Sequence, residues 1–212
     1  MDKILPAIIA KNFEELKEKL LLVEGLVSWV QVDVMDGIFV PPMTWYNPLD
    51  LKNLETKLNI EVHLMVRDPE VKTKEWMKSG VKRVLIHCES ASLLQLSDMI
   101  QSLKFSGIEV GLVLNMETDF NNIHELVDMV DVVQFMSIDE IGYYGQVFDA
   151  RVIPKIITFK NIFPNKKVSV DGGVNFESAK ELLNIGVDRL VVGSIIFKSD
   201  NIKDSILKLQ NL

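Results

Sequence analysis

The 212-residue sequence has one cysteine, Cys88, so no intramolecular disulfide can brace the fold. With nine methionines beside it, this points to a reducing compartment, the cytoplasm being the expected location. No stretch of about 18 apolar residues occurs, and Met1 to Pro6 lacks the basic and long apolar regions of a signal peptide. Neither membrane insertion nor export is expected. Positive charge is also scarce, with 23 Lys and Arg against 30 Asp and Glu and a formal charge of -7. A general nucleic-acid or anionic-membrane surface needs clustered positive charge and is excluded, so a phosphorylated ligand would require local donors. There is no Gly-x-Gly-x-x-Gly after the first apolar run, which argues against a dinucleotide fold, and no low-complexity segment or linker.

Eight short β-branched or apolar runs fill the chain: Lys3 to Ile9, Trp29 to Met35, Ile60 to Met65, Arg83 to His87, Glu109 to Leu114, Val132 to Met136, Lys167 to Asp171 and Arg189 to Gly193. Between them lie charged amphipathic stretches of helical spacing, among them Asn12 to Val23, Pro69 to Ser79, Ala91 to Phe105, Phe176 to Asn184 and Ile202 to Leu209. Strict alternation predicts parallel strands with right-handed crossovers. Eight units favour a closed barrel over an open sheet. The expectation is an α/β fold, one (β/α)8 TIM-barrel domain over residues 1–212. The least helical connections, Asp36 to Pro48 and Ser137 to Phe148, leave the C-terminal ends of strands, where barrel active sites sit.

Polar residues interrupt these strands in phase. Strand alternation puts Gln31, Asp33 and Met35 on one face, Glu61, His63 and Met65 on one face, and Ser169 and Asp171 on one face. Those faces must be the barrel interior, where Asp33, His63 and Asp171 converge. Buried carboxylates repel each other unless a cation or shared proton compensates, and a divalent metal is the simplest compensation. The competing reading is a hydrogen-bonded core that holds loops in place. Met35, Met65 and Met136 suit either a water-excluding site wall or ordinary core filling.

The motifs Val32-Asp33-Val34-Met35-Asp36-Gly37-x-Phe39-Val40-Pro41, Val62-His63-Leu64-Met65, Val113-Leu114-Asn115, Met136-Ser137, Val170-Asp171-Gly172-Gly173-Val174 and Val192-Gly193-Ser194-x-Ile196-Phe197 run in order along the chain. In content and spacing they resemble the ribulose-phosphate 3-epimerase family over nearly the whole length. The resemblance implies a barrel of the ribulose-phosphate-binding type that epimerises D-ribulose 5-phosphate and D-xylulose 5-phosphate, or a related ketose phosphate, at C3. It implies a divalent metal (zinc, iron(II) or manganese) on Asp33, His63 and Asp171, with the two aspartates as the acid and base on opposite faces of the sugar. Met35, Met65 and Met136 would line the site. Gly145, Gly172, Gly173, Gly193 and Ser194 would meet the substrate, the last four at its phosphate, although glycines after strands are also ordinary turn residues. His87 matches a family position, either supporting the site or serving as a satisfied core histidine.

Three positions depart from that pattern. Gln31 stands in place of a metal-binding histidine; its carbonyl oxygen can still coordinate, more weakly than imidazole. Ala7 replaces a serine. The loop Asp139-Glu140-Ile141-Gly142-Tyr143-Tyr144-Gly145-Gln146 is longer than the family's, lacks its Pro-Gly, and brings two carboxylates toward the phosphate region unless they point away. These changes favour a second hypothesis, a non-catalytic or regulatory phosphosugar-binding barrel. A barrel decarboxylase or aldolase-like synthase would need Asp-x-Lys-x-x-Asp, and Met35 holds the lysine position. Cys88 is expected to be a small buried hydrophobe and His124 a solvent-facing helical residue. Barrels of this size often form homo-oligomers, but no single apolar patch marks a contact face.

Overall fold

The computed structural model describes residues 3–212; Met1 and Asp2, with which the expected domain begins, lie outside the described residues. Eight parallel strands close into a barrel in simple sequence order. They are β1 (Ile4–Ile8), β2 (Trp29–Met35), β3 (Asn59–Met65), β4 (Arg83–His87), β5 (Glu109–Leu114), β6 (Val132–Met136), β7 (Lys167–Asp171) and β8 (Arg189–Val192). The helices are α1 (Phe13–Val23), α2 (Pro69–Trp76), α3 (Leu93–Phe105), α4 (Val152–Ile162), α5 (Phe176–Asn184), α6 (Ser194–Phe197) and α7 (Ile202–Gln210). The β2–β3 and β5–β6 crossovers use 3-10 segments, Pro48–Asn53 and Phe120–Met129. No helix among the described residues is long and apolar enough to cross a membrane.

Period-two alternation sorts each strand. Val30, Val32 and Val34 of β2 and Ile60, Val62 and Leu64 of β3 point outward into the shell packed under the helices, leaving Gln31, Asp33, Glu61 and His63 inside. The register pairs Gln31 with Glu61 and Asp33 with His63, which stacks polar residues in layers along the barrel axis. At the N-terminal end Glu61 takes bonds from Arg83 and Arg189, and Arg83 also meets Glu109 and lies over the Trp29 ring. Glu61 therefore shares the face of His63 but belongs to a charged plug at the opposite end. Leu85, Val113 and Val132 form an apolar cluster inside the barrel that continues into Met136 and Ile138 at the site end. Gly111 makes room for it, since a Cβ there would lie 2.3 Å from Leu85.

Caps fix where the helices begin. Asn12 accepts from the Glu15 N–H, Ser92 and Gln95 form a reciprocal capping box before α3, and Asn175 caps α5 immediately after the β7 loop. The last of these sets the path of the Gly172–Gly173 turn above the barrel.

Candidate active site

The C-terminal ends of β2, β3 and β7 bring Asp33, His63 and Asp171 together, all buried, with one ligating atom from each within 4.8 Å of the others. Gln31 sits among them. Its Nε2 donates to Asp33 Oδ1 at 2.8 Å and Asp171 Oδ2 at 2.7 Å and lies 3.3 Å from His63 Nδ1. Two carboxylates can only accept, so they dictate which end of the amide faces them. Its other end, Oε1, is buried without a partner.

Gln31 thus holds the positive ends of N–H dipoles between two buried carboxylates, the place where a cation would be most stabilised. Reversing the amide would direct the unpartnered Oε1 inward as a fourth donor. Two carboxylate oxygens, an imidazole nitrogen and an amide oxygen form a set suited to a first-row divalent ion. The residues present therefore fit a metal, Gln31 included.

The electrostatics follow from the same packing. Burial, reinforced by the neighbouring Asp33 charge, pushes Asp171 up to about 7. Burial opposes protonation of His63, but its contact with Asp33 and the charge of Asp171 outweigh that and raise it. Asp171 also accepts from Gln134 Nε2 at 3.2 Å, while Ser137 ties down its strand end, donating from its N–H to the Asp171 carbonyl and from Oγ to the Gly172 carbonyl.

A second layer supports His63. Its Nε2 lies 2.8 Å from His87 Nε2, and His87 Nδ1 lies 3.1 Å from Glu89 Oε2. Burial pushes His87 down to about 4. Burial would raise Glu89, but bonds from His87, Thr118 and the Asn115 N–H prevail and hold it at about 2. His87 is thus in direct contact with a candidate ligand.

The cavity above the centre is lined by Asp33, His63, Asp171, Met65 and Met136, with Gly142 to Gly145 over it and Gly172, Gly173, Gly193 and Ser194 along one side. Met35 does not line it; it packs behind with Val40 and Met65, its sulfur under Gly142. Tyr144 reaches β1, where its hydroxyl accepts from the Ile9 N–H at 2.8 Å and donates to the Ala7 carbonyl at 2.7 Å. A hydroxyl therefore returns to the strand that carries Ala7, supplied by the altered loop. Asp139 and Glu140 are exposed and outside this cavity, Asp139 turned toward Arg151 at 2.9 Å. The like charge expected near the phosphate region is thus directed away.

Other expectations resolve simply. Cys88 packs against the main core and burial pushes its thiol up. His124 is exposed, on the 3-10 segment, with its ring against Phe163. Asp36 accepts from the Ile38, Phe39 and Arg67 N–H groups and knits a loop. Sequence reasoning gave no role to Gln134 or Glu89. Gln134 carried a signal, because it alternates in phase with Met136. Glu89 lies beyond its strand, where alternation no longer reports direction.

Fold and site together define a TIM-barrel protein with a metal-capable acid–base centre at the C-terminal end of its strands. The profile of the ribulose-phosphate 3 epimerase family matches residues 3–197. The chain belongs to that family. It is 36% identical to the chloroplastic ribulose-5-phosphate-3-epimerase of Arabidopsis thaliana, over 95% of this chain and 73% of that protein. It is 33% identical to the ribulose-phosphate 3-epimerase of Bacillus subtilis (strain 168), over 99% of each. Among solved structures, 3-hexulose-6-phosphate synthase from Salmonella typhimurium superposes with a TM-score of 0.79 at 16% identity, covering 99% of this chain and 97% of that one. KGPDC from Streptococcus mutans gives 0.77 at 14%, covering 98% and 95%. At such identities the likeness to these two concerns the fold.

Proposed function

We propose that this chain, acting as one domain in the cytoplasm, is a metal-dependent epimerase interconverting D-ribulose 5-phosphate and D-xylulose 5-phosphate. The observation that carries the reading is the pair of buried carboxylates, Asp33 and Asp171, both accepting from one amide nitrogen, at 2.8 and 2.7 Å. Inversion at C3 needs a base on one face of the sugar and an acid on the other. One aspartate takes the C3 proton, the C–H electron pair becomes the C2–C3 π bond while the C2 carbonyl π pair moves onto its oxygen, and the flow reverses to restore the ketone as the second aspartate delivers a proton to the opposite face of C3. Burial beside Asp33 pushes Asp171 up to about 7 in the metal-free centre, which favours it as the member of the pair that carries a proton.

Asp33, His63, Asp171 and the reversed Gln31 amide would hold zinc, iron(II) or manganese. Bound there, the metal supplies positive charge toward the oxygens that become negative in the enediolate. Met65 and Met136 exclude water from the reacting face, and Met35 backs the covering loop. Gly145, Gly172, Gly173, Gly193 and Ser194 bring the backbone within reach of the phosphate end. Tyr144, packed against Gly193, stands beside the same cavity.

Proton NMR with D-ribulose 5-phosphate in D₂O, with and without added metal, tests the reading. Metal-dependent deuterium incorporation at C3 with formation of xylulose 5-phosphate is expected, and Asp33→Asn or Asp171→Asn should abolish it while leaving the fold intact. Full turnover in either variant would overturn the roles. Binding of the sugar phosphate without exchange under any metal would favour a regulatory descendant.

A further inference from the structure

Glu89 Oε1 accepts from the Asn115 N–H at 2.8 Å and from the Thr118 hydroxyl, and Oε2 faces His87 Nδ1 at 3.1 Å. A carboxylate cannot donate, so the hydrogen of that last contact belongs to His87 Nδ1. Neutral His87 then offers a lone pair at Nε2, and His63 Nε2 lies 2.8 Å away. That contact needs one proton, and only His63 can supply it. The remaining ring nitrogen, His63 Nδ1, faces Asp33 Oδ1 at 3.2 Å and Asp171 Oδ2 at 3.6 Å, and by the same rule it donates to Asp33 while no metal is bound. Both rings are fully buried, so water does not compete for these contacts.

We propose that Glu89 and His87 are positioning residues whose one-way hydrogen-bond chain keeps a hydrogen on His63 Nε2, so that Nδ1 is the nitrogen that gives up its hydrogen and turns a lone pair to a metal. The inference rests on the reading that Asp33, His63 and Asp171 hold a metal. Carboxylate partners of ligating histidines commonly set tautomer and basicity; here a second imidazole is interposed, and the direction of every hydrogen follows from the carboxylate at the far end.

Glu89→Gln inverts the chain at constant shape. The atom facing the Asn115 N–H must remain an oxygen, because a backbone N–H cannot accept. The new NH₂ group therefore faces His87 and donates to Nδ1. His87 becomes the Nε2–H tautomer, His63 Nε2 must accept, and the only hydrogen left on His63 is the one at Nδ1, in the metal position, which a neutral ring gives up far less readily than a protonated one.

Long-range ¹H–¹⁵N correlation spectra of the full-length metal-free protein read the His87 tautomer directly, and titration calorimetry with a competing chelator reads zinc affinity. Wild type is expected to show His87 Nδ1–H and Glu89→Gln to show His87 Nε2–H, with zinc affinity reduced about 10- to 100-fold. Thr118→Val, which keeps the carboxylate, should retain the wild-type tautomer and zinc affinity. A wild-type spectrum with His87 Nε2–H overturns the inference without any variant, as does a folded Glu89→Gln protein with wild-type zinc affinity. Wild-type protein that binds no divalent ion while His87 carries Nδ1–H overturns the metal reading instead.

Discussion

Replacing Gln31 by methionine removes the amide while keeping an unbranched side chain of similar length. In the metal-free protein it deletes the two N–H bonds that bridge Asp33 and Asp171. Each hydrogen bond to a charged group contributes about 1.5–3 kcal/mol, so the direct loss is about 3–6 kcal/mol. The substitution also removes the buried, unpartnered Oε1, whose desolvation costs about 1–3 kcal/mol. The net effect is a destabilisation of about 3 kcal/mol. At about 2–4 °C per kcal/mol for a chain of this size, the melting temperature should fall by roughly 6–12 °C. Calorimetry at neutral pH in excess chelator measures it. If Gln31→Met melts at the wild-type temperature under those conditions, the amide is not what keeps two buried carboxylates compatible, and the account of the metal-free centre fails.

Gly173→Ala would place a Cβ 2.4 Å from the Phe148 nitrogen at a φ of +64°, so the turn beside the proposed phosphate position must shift. A raised KM for ribulose 5-phosphate and a loss of about 1–3 kcal/mol are expected from steady-state kinetics and urea unfolding; unchanged values for both would refute that packing. Glu89, at about 2 when folded against 4.5 as its ordinary value, contributes stability that is fully present above about 4.5 and is lost as pH falls toward 2. At about 1.4 kcal/mol per unit this amounts to about 3 kcal/mol. Unfolding free energies between pH 2 and 6 should show that loss in wild type, and a Glu89→Gln protein with the same acid slope would contradict it.

The barrel was legible because each strand is a short β-branched run whose polar insertions keep period two, and the observed strand ends differ from the expected ones by a residue or less. Depth within the barrel was not legible. Glu61 and His63 share a face by alternation, yet two residues of rise, about 6.6 Å, separate the charged plug from the site. Nothing local in the sequence reveals that Arg83 and Arg189, far apart in the chain, meet Glu61 there. The position of Tyr144 escaped for a related reason: the bond between its hydroxyl and the β1 backbone spans 137 positions and leaves no periodic trace.

Gln31 shows what a departure from a family pattern can mean physically. Read as a sequence change, it exchanges a strong ligand for a weak one. In the folded protein the same amide offers two complementary ends, N–H groups that hold the carboxylates together when no cation is bound and an oxygen that can meet one when it is. An imidazole also has a donor and an acceptor end, but no single nitrogen of it can give two hydrogens to two carboxylates as Gln31 Nε2 does. The bonds that stabilise the metal-free centre must be broken for Oε1 to turn inward, so stability without metal and affinity for metal oppose each other through this one side chain. Turning the amide exchanges which of its ends faces Asp33 and Asp171 and removes neither carboxylate, which is why a change at the ligand position is compatible with the proposed acid–base chemistry.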